Sequence, residues 1–223
     1  MKINEMSIKK RRVMIYFIEA ARQVLISDGI EGLSIRRIAD IAGYNSATLY
    51  NYFDDLNHLM LYASMSYLRD YVLALSHRIT PAMNALECYR TVYETFDSYA
   101  FKSPEIFYNM FFGPRHARLS EVAEQYYEFF PEELAKQTAA VRKMLTQGNM
   151  YLRDYPMVEE LVKEGFIKAE NAEQLAVIVP RLNQTYLHEF IQTKNENNVN
   201  PEEFHGRFME AFDYLLKTAR QTA

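Results

Sequence analysis

SIRRIADIAGYNSATLYNYF, residues 34–53, is the stretch from which the rest of this 223-residue chain can be read. Ile35, Ile38, Ala39 and Ala42 recur at helical spacing, and the pattern stops at Gly43. Ser34 stands where a hydroxyl accepts a hydrogen bond from a free N–H of the opening turn. Gly43 can take the left-handed backbone of a tight helix end, having no Cβ to clash. Asn45 or Ser46 offers a second N-cap, after which Ala47, Leu49, Tyr50 and Phe53 continue in a short helix. Two short helices joined by a glycine-containing turn make a helix-turn-helix. Small Ala39 and Ala42 let the helices cross closely, and Leu49 and Phe53 fill the space beneath.

Upstream, the spacing predicts a first helix over 7–28, with Ile15, Ile18, Ala21, Val24 and Leu25 along one side and Gly29 as its stop. The run Lys9-Lys10-Arg11-Arg12 lies at its start. Such an arm suits phosphate or minor-groove contact, and a solvated terminus is an equal alternative for any one of the four.

These residues resemble the tetracycline-repressor (TetR) family of bacterial transcription regulators. The resemblance rests on Ser34, Arg36, Ile38, Ala39, Ala42, Gly43, Thr48, Leu49, Tyr50, Tyr52 and Phe53, and Phe17, Ala20, Ala21, Val24, Leu25 and Gly29 fit the family's first helix. It implies an all-α fold, with an N-terminal three-helix helix-turn-helix domain over 1–53. A larger C-terminal helical domain over 54–223 would bind ligand and dimerise. It further implies double-stranded DNA as a partner, a palindromic operator, and a homodimer formed through the last two helices. A small apolar or aromatic effector would release the DNA, and repression is the family's commonest mode. The second helix would enter the major groove with Ser46, Ala47, Thr48 and Asn51 at base edges. Tyr50 and Tyr52 would reach phosphate oxygens, Arg36 guanine or phosphate, and Ser34 and Tyr44 the DNA backbone. Asn45 completes the DNA-facing set.

One departure stands out. Many relatives carry a lysine directly after the aromatic that ends the recognition helix, and here stand Asp54 and Asp55. Either suits the N-cap of a following helix, but an aspartate facing phosphate repels it. The expectation is therefore that one backbone contact is missing. It leaves open an alternative reading, a family-derived interaction or adaptor protein with weakened DNA binding.

The charge balance fits a basic head on an acidic body. The net charge is −4, yet residues 1–53 carry eight basic and five acidic side chains against 17 and 24 in the remainder. One cysteine, Cys88, rules out an intrachain disulfide and suits a reducing compartment. No apolar run approaches the roughly 20 residues of a membrane span, so a soluble cytoplasmic protein without membrane contact is expected. Seven Gly, seven Pro and an absence of β-branched alternation favour helices.

Beyond residue 53 a long helix is expected over 55–78. A second, opened by Pro81, runs toward Phe101, and a third starts at Ser103-Pro104-Glu105 and ends at Gly113-Pro114. Another begins near Pro131-Glu132-Glu133 and runs toward Gly148. The segment 161–175 resembles the turn before the family's penultimate helix. That helix is expected over 171–194, with Leu175, Ile178, Val179, Leu182, Tyr186 and Phe190 on one face and a kink at Pro180. The last starts at Asn200-Pro201 and buries Phe204, Phe208, Ala211, Phe212 and Leu215.

This body holds 13 Tyr, 12 Phe and 8 Met, rings and thioethers suited to an apolar or aromatic effector as well as to plain core and dimer interface. Tyr67, Tyr71, Phe96, Phe107, Phe111 and His116 are the lining candidates. Arg115 and Arg118 could meet a carboxylate or phosphate end. Enzymatic motifs are lacking: there is no glycine-rich phosphate loop, no H-E-x-x-H and no paired-cysteine pattern. His58, His77, His116, His188 and His205 have no metal-ligand spacing. The expectation is a protein that is not an enzyme and uses neither metal nor cofactor.

Overall fold

The computed structural model describes residues 6–129, 139–195 and 199–220. Among the described residues there are eleven α-helices and no strands. Helix α1, Ile8–Asp28, starts where the Lys10 N–H donates to Ser7 Oγ, and it closes on Gly29 at φ +68°. Its buried stripe is Val13, Met14, Phe17, Ala20, Ala21, Val24 and Leu25. Ile15, expected on that stripe, is 46% exposed and Ile18 is half-buried, because Met14 and Phe17 take the inward positions.

Helix α2, Ile35–Ala42, is capped by Ser34 Oγ, which accepts from the Arg37 N–H, and it ends on Gly43 in the left-handed region. Helix α3, Ser46–Leu49, is shorter than expected. After it the N–H groups of Tyr52 and Phe53 both donate to the Leu49 carbonyl, and this turn sends Phe53 inward. Phe53 meets Phe17, His58 and Tyr62 edge-on. Helix α4, Leu56–Arg78, is capped by Asp55, whose carboxylate accepts from the His58 N–H at 2.8 Å. Its 23 residues extend roughly 34 Å. It packs against α1 at one end and against the body at the other.

Helix α5 is Ala85–Ala100. Pro81 lies in the preceding turn and does not open it. A capping box does so, with Asn84 accepting from the Glu87 N–H and Glu87 from the Asn84 N–H. Helix α6, Pro104–Phe112, begins after Ser103 with proline in its first turn, although the Ser103 side chain makes no capping bond. A 3₁₀ turn, His116–Arg118, leads into α7, Leu119–Phe129, a helix the sequence pattern had not marked. The start expected near Pro131 falls outside the described residues, and α8 is Ala139–Leu145.

Helix α9, Met150–Lys163, is also absent from the sequence expectation. Its interior Pro156 and buried Arg153 and Asp154 break the amphipathic pattern by which helices are recognised. Helix α10, Ala172–Thr193, continues through Pro180, and α11, Pro201–Ala219, is capped by Asn200. The bounds of both match expectation, whereas Ala211 and Leu215, expected to be buried, are half-buried. Helix α10 packs on α9, α11 and α6, and α9 on α8 and α5. A single hydrophobic cluster runs from Val13 in α1 to Ala219 in α11.

Candidate nucleic-acid interface and the body behind it

The helix-turn-helix presents its polar residues on caps that are made locally. Asn45 Oδ1 accepts both the Thr48 N–H, at 2.8 Å, and the Thr48 hydroxyl, at 2.9 Å. The Asn45 oxygen is thus occupied as a cap, and Thr48 keeps only its lone pairs and methyl for a partner. Ser34, Arg36, Asn45, Ala47, Tyr50 and Asn51 are exposed, while Tyr44, Ser46, Thr48 and Tyr52 are half-buried. The Tyr44 ring lies 5.5 Å from Phe17, and the Tyr52 ring 6.4 Å from it. Both tyrosines therefore pack their rings on α1, the arrangement in which a hydroxyl can serve at the edge.

Two adjacent arginines divide the work. Arg37 donates to Asp28 at 2.6 Å and to the Gly32 carbonyl at 3.4 Å, tying α2 to the end of α1. The Ser27 hydroxyl and then Arg37 hold the Asp28 carboxyl below its usual range. Arg36 is exposed and has no ion pair among the described residues. Lys9, Lys10 and Arg12 are exposed as well, whereas Arg11 is half-buried beside a cavity between α1, α4 and α7.

Asp54 and Asp55 are bound from the body. Arg118 pairs with Asp54 and also donates to Glu121 at 2.8 Å. The Arg115 Nε–H donates to Asp55 at 2.9 Å, and this guanidinium holds the Asp55 carboxyl below the usual carboxylate range. His58 lies beneath, 4% exposed, with Nδ1 accepting the Asp54 N–H at 3.2 Å. Burial pushes its imidazole pKa down, so it stays neutral as an acceptor must. The two arginines expected to face a ligand thus clamp the segment that follows the recognition helix. Proximity in space, not in sequence, makes this pair: 60 residues separate Arg115 from Asp55.

Four of the six lining candidates divide between two cavities, and Tyr67 and Phe107 line neither. Tyr71 and Phe96 line an internal cavity of about 20 Å³ together with Tyr93, Met150, Arg153 and Asp154. That is room for about one water. Phe111 and His116 line an open cleft of about 590 Å³ beside Met150, Tyr151, Pro180 and Arg181. Met150 borders both. Phe107 is fully buried between Phe96 and Phe111, and Tyr67 is half-buried on α4.

Sequence reasoning missed Arg153 and Asp154. Asp154 accepts hydrogen bonds from the Tyr89 and Tyr93 hydroxyls at 2.6 and 2.7 Å. Burial raises its pKa to about 7, the two hydroxyls opposing. Arg153 donates to the Leu145 and Gln147 carbonyls at 3.1 and 3.0 Å and lies 5.0 Å from the Phe111 ring centre. Burial pushes its pKa down. A second buried carboxylate, Asp97, accepts from Asn183 at 2.7 Å and pairs with His205 at 2.9 Å.

Among the described residues no helix is long and apolar enough to cross a membrane, and no group of three His, Cys, Asp or Glu could hold a metal. A family model for bacterial regulatory proteins of the tetR family matches residues 17–63. No curated protein matches the chain. Among solved structures the fold is similar to RolR in complex with resorcinol, at 11% identity, a TM-score of 0.59 and coverage of 96% of each chain. It is also similar to a protein of unknown function from Rhodococcus sp. RHA1, at 18% identity, a TM-score of 0.58 and coverage of 94% of this chain and 96% of that one. A third likeness is to a protein assigned to the TetR family of transcriptional regulators, from Mesorhizobium loti MAFF303099. There the identity is 17%, the TM-score 0.51, and 96% of this chain and 98% of that one are covered. At such identities the likeness speaks for the fold.

Proposed function

We propose that this chain, which belongs to the TetR family of bacterial regulatory proteins, is a ligand-responsive transcriptional repressor and not an enzyme. The observation that carries the reading is the capped 34–53 segment, with Ser34, Arg36, Asn45, Ala47, Tyr50 and Asn51 turned to solvent on one compact head. Residues 1–53 act as the reading head and 54–223 as the body. Two heads related by a dimer twofold read a palindromic operator in successive major grooves in the cytoplasm. Ala47, Asn51 and the Thr48 methyl and lone pairs meet base edges, and Ser46 stands beside them. Arg36, Ser34, Tyr44, Tyr50 and Tyr52 hold the backbone.

The homodimer forms through α10 and α11. Ile178 and Tyr214 are 43% and 69% exposed there, beside half-buried Leu182, Ala211 and Leu215. Phe208 and Phe212 are fully buried within the chain itself and do not serve the interface. The effector is an aromatic molecule bearing hydroxyl groups. It enters by the Phe111–His116 cleft and displaces Met150 to reach Tyr71, Phe96, Arg153 and Asp154. RolR, similar in fold, is solved in complex with resorcinol, a molecule of that kind. Binding is transmitted through the turn after α6, where Arg115 and Arg118 hold Asp55 and Asp54, so a shifted turn moves the end of the recognition segment. Those ion pairs also offset the charge of the two aspartates, which weighs against the alternative of an adaptor with weakened DNA binding.

The test is selection of binding sites from random and genomic DNA. Recovery of an inverted repeat, bound less tightly as salt rises and released by a phenolic compound that raises the melting temperature, is the expected result. Recovery of no palindromic site would sink the reading.

A further inference from the structure

A cavity of about 310 Å³ lies between α1, α4 and α7, apart from both body cavities. It falls at the lower end of the roughly 300–1,000 Å³ typical of small-molecule sites. Its walls are Met14, Ile15 and Ile18 from α1 with Tyr62 and Ser66 from α4. The hydroxyl protons of Tyr62 and Ser66 are committed elsewhere. Tyr62 donates its hydroxyl to Gln125, and Ser66 donates to the Ala63 carbonyl at 3.2 Å. With those protons committed and Met14, Ile15 and Ile18 forming the rest of these walls, the interior suits an alkyl chain.

The charged side chains of the lining are different in kind. Arg11, Arg22 and Arg69 bring guanidinium groups to the lining, where Glu19 pairs with Arg22 and the neighbouring Asp70 pairs with Arg69 at 3.8 Å. Arg22 donates one terminal N–H to Glu19 at 2.9 Å, yet its Nε is buried with no hydrogen-bond partner. A buried donor left unpaired is costly, and an anionic oxygen satisfies it best.

We propose that this cavity binds a medium-chain fatty carboxylate, its alkyl chain along Met14, Ile15 and Ile18 and its carboxylate on Arg22. The bound chain bridges α1 and α4, and so holds the reading head on the helix that joins it to the body. That consequence for DNA rests on the regulator reading, while the binding itself does not.

Titration calorimetry of the full chain with sodium decanoate and with 1-decanol tests the proposal. Saturable binding of one decanoate per chain is expected. Arg22→Gln should weaken decanoate by about 10-fold or more and leave decanol unchanged. Ser66→Trp, which fills the cavity from α4, should abolish both ligands without lowering the melting temperature. Ile18→Trp does the same from α1 if the first variant fails to fold. No decanoate binding to the unmodified protein, or equal decanoate affinity in Arg22→Gln or in the filled variant, overturns the site. Operator binding is measured separately, so failure of the cavity and failure of the regulator reading are distinguishable.

Discussion

The head and the body solve the same problem, placing polar groups at fixed points, in opposite ways. In the head the caps are held by partners a few positions away: Ser34 by Arg37, Asn45 by Thr48, Gly43 by its own backbone. In the body the partners lie far apart in sequence. Asp154 meets Tyr89 and Tyr93 across 65 and 61 residues, and Asn183 meets Asp97 across 86. Local placement survives small changes elsewhere in the chain. Long-range placement depends on the packing of several helices at once, so damage to the body should be larger and more cooperative.

The largest expected effect tests that asymmetry. Phe212 is fully buried and packs its ring 5.2 and 5.4 Å from Tyr89 and Tyr93, the two donors to Asp154. Phe212→Ala should cost about 3–5 kcal/mol in urea unfolding. The loss should not depend on protein concentration, since the ring is core and not interface. A loss that vanishes at high concentration would return Phe212 to the dimer surface.

A pH series sharpens the body's side. Asp154 has a folded-state pKa raised from 3.8 to about 7 by burial, so the folded chain holds the proton more tightly than the unfolded one. Its contribution is complete below the unfolded value and is lost as pH rises through about 7. Stability should fall by on the order of 4 kcal/mol between about pH 4 and about pH 7. Asp154→Asn should flatten the profile. Parallel profiles for the two proteins would show that Asp154 is not the group responsible.

Changes in the head should be milder for stability and sharper for DNA. Asn45→Ala removes a cap and should cost about 1 kcal/mol, as should Gly43→Ala at φ +76°. Both should weaken operator binding in a mobility-shift assay more than they lower stability. Smallest of all is Asp54→Ala. Its partner Arg118 is charged and near solvent, Asp54 itself is half exposed, and such pairs give under about 1 kcal/mol. Yet the variant should alter how effector binding releases DNA, because the proposed transmission runs through this clamp. Unchanged induction would remove Asp54 from that link.

The family resemblance and the helix-turn-helix were legible because caps, a left-handed glycine and 3.6-residue periodicity are properties of adjacent residues. The caps at Ser34, Asp55 and Asn200 and the run of α10 within one residue of expectation follow from that. Helices α7 and α9 escaped for the converse reason. In α9 the buried Arg153 and Asp154 look like surface positions until Tyr89, Tyr93 and the carbonyls of Leu145 and Gln147 are seen to enclose them. Asp54 and Asp55, read in isolation, suggested repulsion from phosphate, and the structure supplies the arginines that pair with them.

By itself the sequence determined that this chain is helical and that residues 34–53 form a helix-turn-helix. Each of these is settled by backbone preference and periodicity over a few residues. Only the tertiary structure decided that Phe212 is core, that Arg115 and Arg118 clamp the head, and that Tyr71 and Phe96 stand apart from the Phe111 and His116 cleft. Those facts depend on side chains brought together by the packing of the helices. Burial and charge pairing there are set by neighbours that the local sequence does not name.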